Sequence, residues 1–148
     1  MRQFILPLVI LAIHFIPAAL GSDTPVLFET TYTTVHIVSG VPNTPTILRF
    51  RCQSGDDDLG MHELQLFQEY SWEFGLNVFG RTLFFCHFYW GAKDRSFTVY
   101  ESKLNKYCSG GRAYEASHQD CYWVATPTGF FISKDENTWI KMHDWTLP

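Results

Sequence analysis

The chain has 148 residues, 17% of them aromatic and 18% charged, with 11 lysines and arginines against 15 aspartates and glutamates and a formal net charge of -4. An acidic balance of this kind excludes the basic surface that nucleic acid requires, and the length fits one domain. At the N-terminus Arg2 precedes the apolar run FILPLVILAIHFIPAAL, which ends in the cleavage-like triplet Ala19-Leu20-Gly21. The run is short, is broken by Pro7, His14 and Pro17, and lacks a basic stop-transfer flank, so residues 1–21 read as a secretory signal removed after Gly21 rather than as an anchor. Loss of Arg2 leaves ten basic against fifteen acidic side chains, a net charge of -5. Residues 22–148 are then a single domain, about 127 residues long, able to bury roughly two-thirds of its unfolded surface. No second hydrophobic span follows, so the processed chain is expected to be soluble, without membrane insertion, and monomeric.

In chain order, YTTVHIVS (Tyr32 to Ser39) is rich in β-branched residues and alternates, which predicts a strand ahead of the breaker-rich GVPNTP. In TILRFRCQ, Leu48, Phe50 and Cys52 share one face and Arg49, Arg51 and Gln53 the other, so Cys52 points inward from a half-buried strand. CQSGDDDLG follows, then the ambiguous MHELQLF, then EYSWEF with Tyr70, Trp72 and Phe74 opposite Glu69, Ser71 and Glu73. TLFFCHFYW (Thr82 to Trp90) is apolar on both faces, as in a strand covered on both sides or one entering a sandwich core. SFTVYES, a polar loop from Lys103 to Asp120 with room for a short helical turn, CYWVAT, FFIS and TWIKMHDW complete eight or nine strand candidates. Many short strands joined by turns and no long amphipathic helix predict an all-β antiparallel sandwich or barrel. The spacing of Cys52, Trp72 and Cys121 loosely imitates an immunoglobulin domain, with Gln119 where that fold carries its corner tyrosine, so an immunoglobulin-like sandwich is the minor alternative.

Cys52, Cys86, Cys108 and Cys121 are an even set in a chain sent to an oxidising compartment, which predicts two disulfides in one of three pairings. Asp56, Asp57 and Asp58 raise the question of calcium. Adjacent acids on an extended segment project to opposite sides, however, and the flanking Gly55 and Gly60 favour an acidic structural turn running through Leu59 and Gly60. His36, His62, His87, His118 and His143 stand singly, without the short spacings of a zinc site, and read as structural or surface residues. No metal or other cofactor is therefore expected. Cys86-His87 are neighbours on a strand and face opposite ways, and no nucleophile elbow or phosphate loop occurs, so the chain does not read as an enzyme. Neither Asn43 nor Asn137 begins a glycosylation sequon. Among the aromatics, Trp72, Phe84, Phe88 and Trp123 fall on buried-strand positions, while Trp139 and Trp145 are the candidates for an exposed sugar-binding platform.

The succession TVHIVSG, LRFRCQSGDDDLGMHEL, YSWEF, RTLFFCHFYW, FTVY and DCYWVATPTGFF closely resembles the plant self-incompatibility protein family, the S-protein homologues. Its most specific marker is Cys-x-Ser-x-Asp-Asp-Asp-Leu-Gly followed by a strand with Phe-x-Cys-x-Phe-x-Trp, and the likeness covers roughly residues 33 to 131. The resemblance implies a small secreted, disulfide-bonded β-sandwich of about eight strands that is not an enzyme, with the four cysteines as its bridge residues. Members from poppy act as stigma-borne ligands of a pollen membrane receptor. Here twelve residues, Ser109 to Asp120, separate the last two cysteines, more than is usual in the family, and the likeness is not traced into the tail after Phe131. The expectation is an extracellular signalling ligand whose loops 40 to 46, 54 to 61 and 103 to 120 recognise a membrane receptor on a neighbouring cell. A secreted cell-wall or carbohydrate-binding module is the alternative.

Overall fold

The computed structural model describes residues 31–76, 79, 81–110 and 118–148. The expected signal segment 1–21 and the centre of the 103–120 loop lie outside the described residues. Strands β1 (Tyr32–Ser39), β2 (Leu48–Gln53), β3 (Asp58–Leu64), β4 (Glu69–Gly75), β5 (Phe84–Trp90) and β6 (Lys93–Tyr100) lead to a 3-10 helix, Ser102–Tyr107. Strands β7 (His118–Thr126), β8 (Gly129–Ser133) and β9 (Ile140–His143) follow. They form a five-stranded sheet in the order β4-β1-β7-β8-β9 and a four-stranded sheet in the order β3-β2-β5-β6. Every pairing is antiparallel except β1 with β7, which run parallel from Tyr32 opposite His118 to Ser39 opposite Ala125. A parallel pair needs a long crossover. Here the whole second sheet lies within that crossover, between β1 and β7.

The alternation in each strand decides what the sandwich encloses. Val35, Ile37, Trp123, Ala125, Phe130 and Ile132 of the first sheet meet Leu48, Phe50, Phe88, Phe97 and Val99 of the second, all buried. Phe88 lies 4.9 Å from Phe130 across the sheets, and the Trp123 indole donates a hydrogen bond of 2.9 Å to the Val99 carbonyl. Strand β5 is flanked by β2 and β6, with Phe84, Cys86 and Phe88 in the core and Phe85 part-exposed on the outer face. Its aromatic outer face is therefore a solvent face, not one covered by a second layer. MHELQLF resolves into the end of β3 and a turn; the alternation of β3 is blunted because it is an edge strand carrying a bulge at Leu59 and Gly60, between Asp58 and Met61.

The bridges join Cys52 to Cys86 and Cys108 to Cys121. Cys52 and Cys86 face each other on β2 and β5 of one sheet, and Cys121 takes its partner from the end of the 3-10 helix. This overturns the immunoglobulin-like alternative, whose bridge spans the two sheets. Gln119 stands in for no corner tyrosine: it is fully buried and its amide lies 2.8 Å from Thr33 Oγ1, 3.1 Å from the Tyr100 hydroxyl and 3.1 Å from Asn105 Oδ1. The bonds tie β7, β1, β6 and the 3-10 helix together behind the second disulfide. The tail after Phe131 completes β8, adds β9 to the first sheet and then crosses to the second, where Thr146 pairs with Asp94 of β6.

Candidate functional site

The acidic segment is a turn whose three aspartates do different things. Ser54 Oγ accepts the backbone N–H groups of Asp56 and Asp57, and Ser54 N donates to the Asp57 carbonyl at 2.7 Å. The cap is thus a serine, leaving the side chains of Asp56 and Asp57 in solvent. Asp58 begins β3, accepts the Gly60 N–H at 2.9 Å, and is gripped by Arg51 through Nε and Nη2 and by Gln53. The bonds from Arg51 and the Gly60 amide hold the Asp58 carboxyl down to about 2. Gly60 has φ of +79°, the left-handed conformation that the bulge opposite Cys52 requires, and Leu59 turns back against the core.

Strand directions place the loops expected to bind a partner at two opposite ends. Loop 40–46, containing the cis Thr44–Pro45 bond, follows β1 at one end. Residues 54–57 and the 3-10 helix that opens the 103–120 loop lie at the other, beyond Gln53 of β2 and Tyr100 of β6. At the first end a further loop, 65–68, went unnoticed in the sequence. Phe67 N donates to the Ser39 carbonyl and Leu66 N to Asn43 Oδ1, and this anchoring leaves Phe67 80% exposed with φ of +68°. A break in the alternation at Gln65-Leu66-Phe67-Gln68 is the only signal the sequence offered.

The outer face of the five-stranded sheet gathers residues that the sequence scatters. His36 of β1 has Nδ1 2.5 Å from Glu69 Oε1 and Nε2 2.9 Å from Asp120 Oδ1, and its ring stacks on Tyr122 at 4.3 Å. His118 lies 3.3 Å from the same Asp120 oxygen and 3.4 Å from Glu73. His36 is thus bracketed by two carboxylates, one from β4 and one from β7. Burial pushes the Asp120 carboxyl up, but the bonds from His36 and His118 outweigh it and leave the group below its ordinary value. The two histidines meet because β1 and β7 are parallel, a register no local pattern reveals. Of the others, His62 stacks on Tyr70, and His87 lies 2.7 Å from Asp94. Among the described residues no three His, Cys, Asp or Glu side chains are placed to hold a metal.

The two tryptophans proposed as a sugar platform separate. Trp145 is buried against Phe130 at 4.4 Å, with its indole N–H on the Thr126 carbonyl at 2.7 Å, so it belongs to the core. Trp139 is half-buried and donates to the Glu136 carbonyl within its own turn.

The model of the family described as plant self-incompatibility protein S1 matches residues 34–145. The chain belongs to this family. Among curated Arabidopsis thaliana members of the S-protein homologue group, S-protein homolog 2 is 38% identical over 127 residues, covering 86% of this chain and 74% of the relative. S-protein homolog 5 is 31% identical over 109 residues, 74% of each chain. A solved self-incompatibility protein homologue, from a group described as small, highly stable, secreted plant proteins, superposes with a TM-score of 0.58 over 78% of this chain and 96% of its own, at 18% identity. The matched span reaches Trp145, so the tail that forms β9 and the crossing strap is part of the S-protein homologue domain.

Proposed function

We propose that this S-protein homologue is secreted and acts, without catalysis, as an extracellular ligand for a membrane receptor on a neighbouring cell. The observation that carries the reading is the family match across residues 34–145, in which the aspartate-leucine-glycine segment serves as architecture. The signal-like N-terminus and the two disulfides support secretion. Recognition is assigned to the end bearing Asp56, Asp57 and the 103–118 connection, because binding loops on a rigid sandwich tolerate change that its strands do not.

Replacing the whole of 109–120 would remove Gln119 and Asp120, which hold the fold and the histidine cluster. Replacing only residues 111–117 by a Gly-Ser linker leaves them in place. Saturable binding of the labelled protein to receptor-bearing cells is expected to be lost in that variant with its melting temperature kept; unchanged binding would move the site to the opposite end. A role in pollen recognition further requires transcript restricted to the pistil, and accumulation elsewhere would contradict it.

A further inference from the structure

Residues 65–68 present one aromatic ring in a way that local physics does not favour. Gln68 N donates to the Gln65 carbonyl at 3.0 Å, closing a turn in which Phe67 holds the second central position with φ of +68°. Glycine or asparagine ordinarily takes that position, because most side chains are strained in the left-handed region. The strain does not serve packing, since the ring is 80% exposed. Nor is it the mark of a loose loop. Gln65 N donates to Gln68 Oε1 at 2.9 Å, Leu66 N to Asn43 Oδ1 at 2.8 Å and Phe67 N to the Ser39 carbonyl at 2.7 Å, so every backbone N–H from 65 to 68 is bonded. A strained backbone and an exposed large apolar side chain thus coincide on one residue whose position is fixed by its neighbours. Local rules are broken in this way at functional sites.

We propose that Phe67 anchors a second protein-binding surface, at the end opposite the one assigned to receptor recognition, and inserts into an apolar pocket of a partner protein. A ring held in place before contact loses little loop freedom on binding. Asn43, Gln65 and Gln68 beside it are exposed and uncharged, the polar rim that suits a hot-spot residue. The nearest charges along the chain, Glu63 and Glu69, already face Arg49 and His36. The partner is therefore selected by an apolar pocket with a hydrogen-bonding rim, and an anionic lipid surface is disfavoured for a chain of net negative charge. A projecting ring does not complement itself across a two-fold axis, which disfavours a second copy. The residues outside those described join the starts of β1 and β7 and the end of β4, all at the far end, so they do not supply the occupant. The inference rests on the reading of the chain as an extracellular protein ligand and gives that ligand a contact at each end.

The test compares labelled wild type, Phe67→Gly, Phe67→Ala and the variant with residues 111–117 replaced in saturation binding to plasma-membrane vesicles from receptor-bearing cells. Phe67→Gly removes ring and strain together, so it should weaken binding about tenfold or more while raising the melting temperature by about 1–3 °C. Phe67→Ala removes the ring and keeps the strain, so it should lose the same binding without that gain. Protease treatment of the vesicles should abolish binding. Loss in both Phe67 variants with the 111–117 variant unaffected supports this surface and overturns the assignment of recognition to the far end. Affinity unmoved in Phe67→Ala, with loss in the 111–117 variant, overturns this surface and leaves the far end standing. Binding that survives protease would assign the ring to lipid, sedimentation showing a wild-type dimer lost in Phe67→Ala would assign it to a second copy, and a melting temperature lowered in Phe67→Gly would assign it to the fold; each overturns the proposal. Absence of saturable wild-type binding would overturn the ligand reading and this one with it.

Discussion

Asp58 shows how a residue that looks like one of three equal charges acquires a separate role. Its carboxyl is held below the unfolded value, so it contributes stability that is present above the ordinary aspartate range and is lost as pH falls toward about 2. Asp58→Asn should therefore lower the melting temperature at pH 7, with the gap from wild type closing in acid, as a pH series of thermal melts will show. Asp57→Asn and Asp56→Asn leave solvent-facing groups unpaired in either state and should change stability by less than about 0.5 kcal/mol. Gly60→Ala meets open space, nothing within 4 Å, yet forces a side chain into φ of +79°. It should cost about 1 kcal/mol in denaturant unfolding, through backbone strain alone. If the aspartates bound calcium, melts in chelator and in millimolar calcium would differ; the paired and solvent-facing arrangement predicts that they coincide.

At the scale of the element, the two bridges differ in what they constrain. Cys52–Cys86 closes a separation of 34 residues and Cys108–Cys121 one of 13. Chain entropy then predicts losses of about 4 and about 3 kcal/mol for the respective double alanine variants. Trp145→Ala should cost about 3–5 kcal/mol, the value for emptying a buried aromatic site, whereas a surface sugar platform would lose binding and keep its stability. Some of these elements were legible in the sequence. Leu48, Phe50 and Cys52 announce β2 because a strand with one wet face must alternate, and β1, β4 and β7 follow the same rule. Strand β3 hid behind the bulge at Leu59 and Gly60, which shifts the period by one residue. The approach of His36 to His118 was hidden for a different reason: their meeting depends on which strands pair, and the β1–β7 register joins residues more than eighty positions apart. Trp145 read as a tail residue because its partners, Phe130 and Trp90, come from two different sheets.

For the whole molecule, two sheets packed through an aromatic core, with one disulfide inside the second sheet and one tying the 3-10 helix to the first, make the scaffold, and its variable chemistry lies at the ends and at the closing edge. The family match identifies the scaffold, and the proposed recognition of a receptor rests on the loops that the strands hold apart. The most direct measurement is saturable binding of the labelled, processed protein to cells bearing the receptor, with competition by unlabelled protein. Wild type and Asp58→Asn are expected to compete, while the variant with residues 111–117 replaced, although folded, is not; a folded replacement that competes as well as wild type would contradict recognition through this loop.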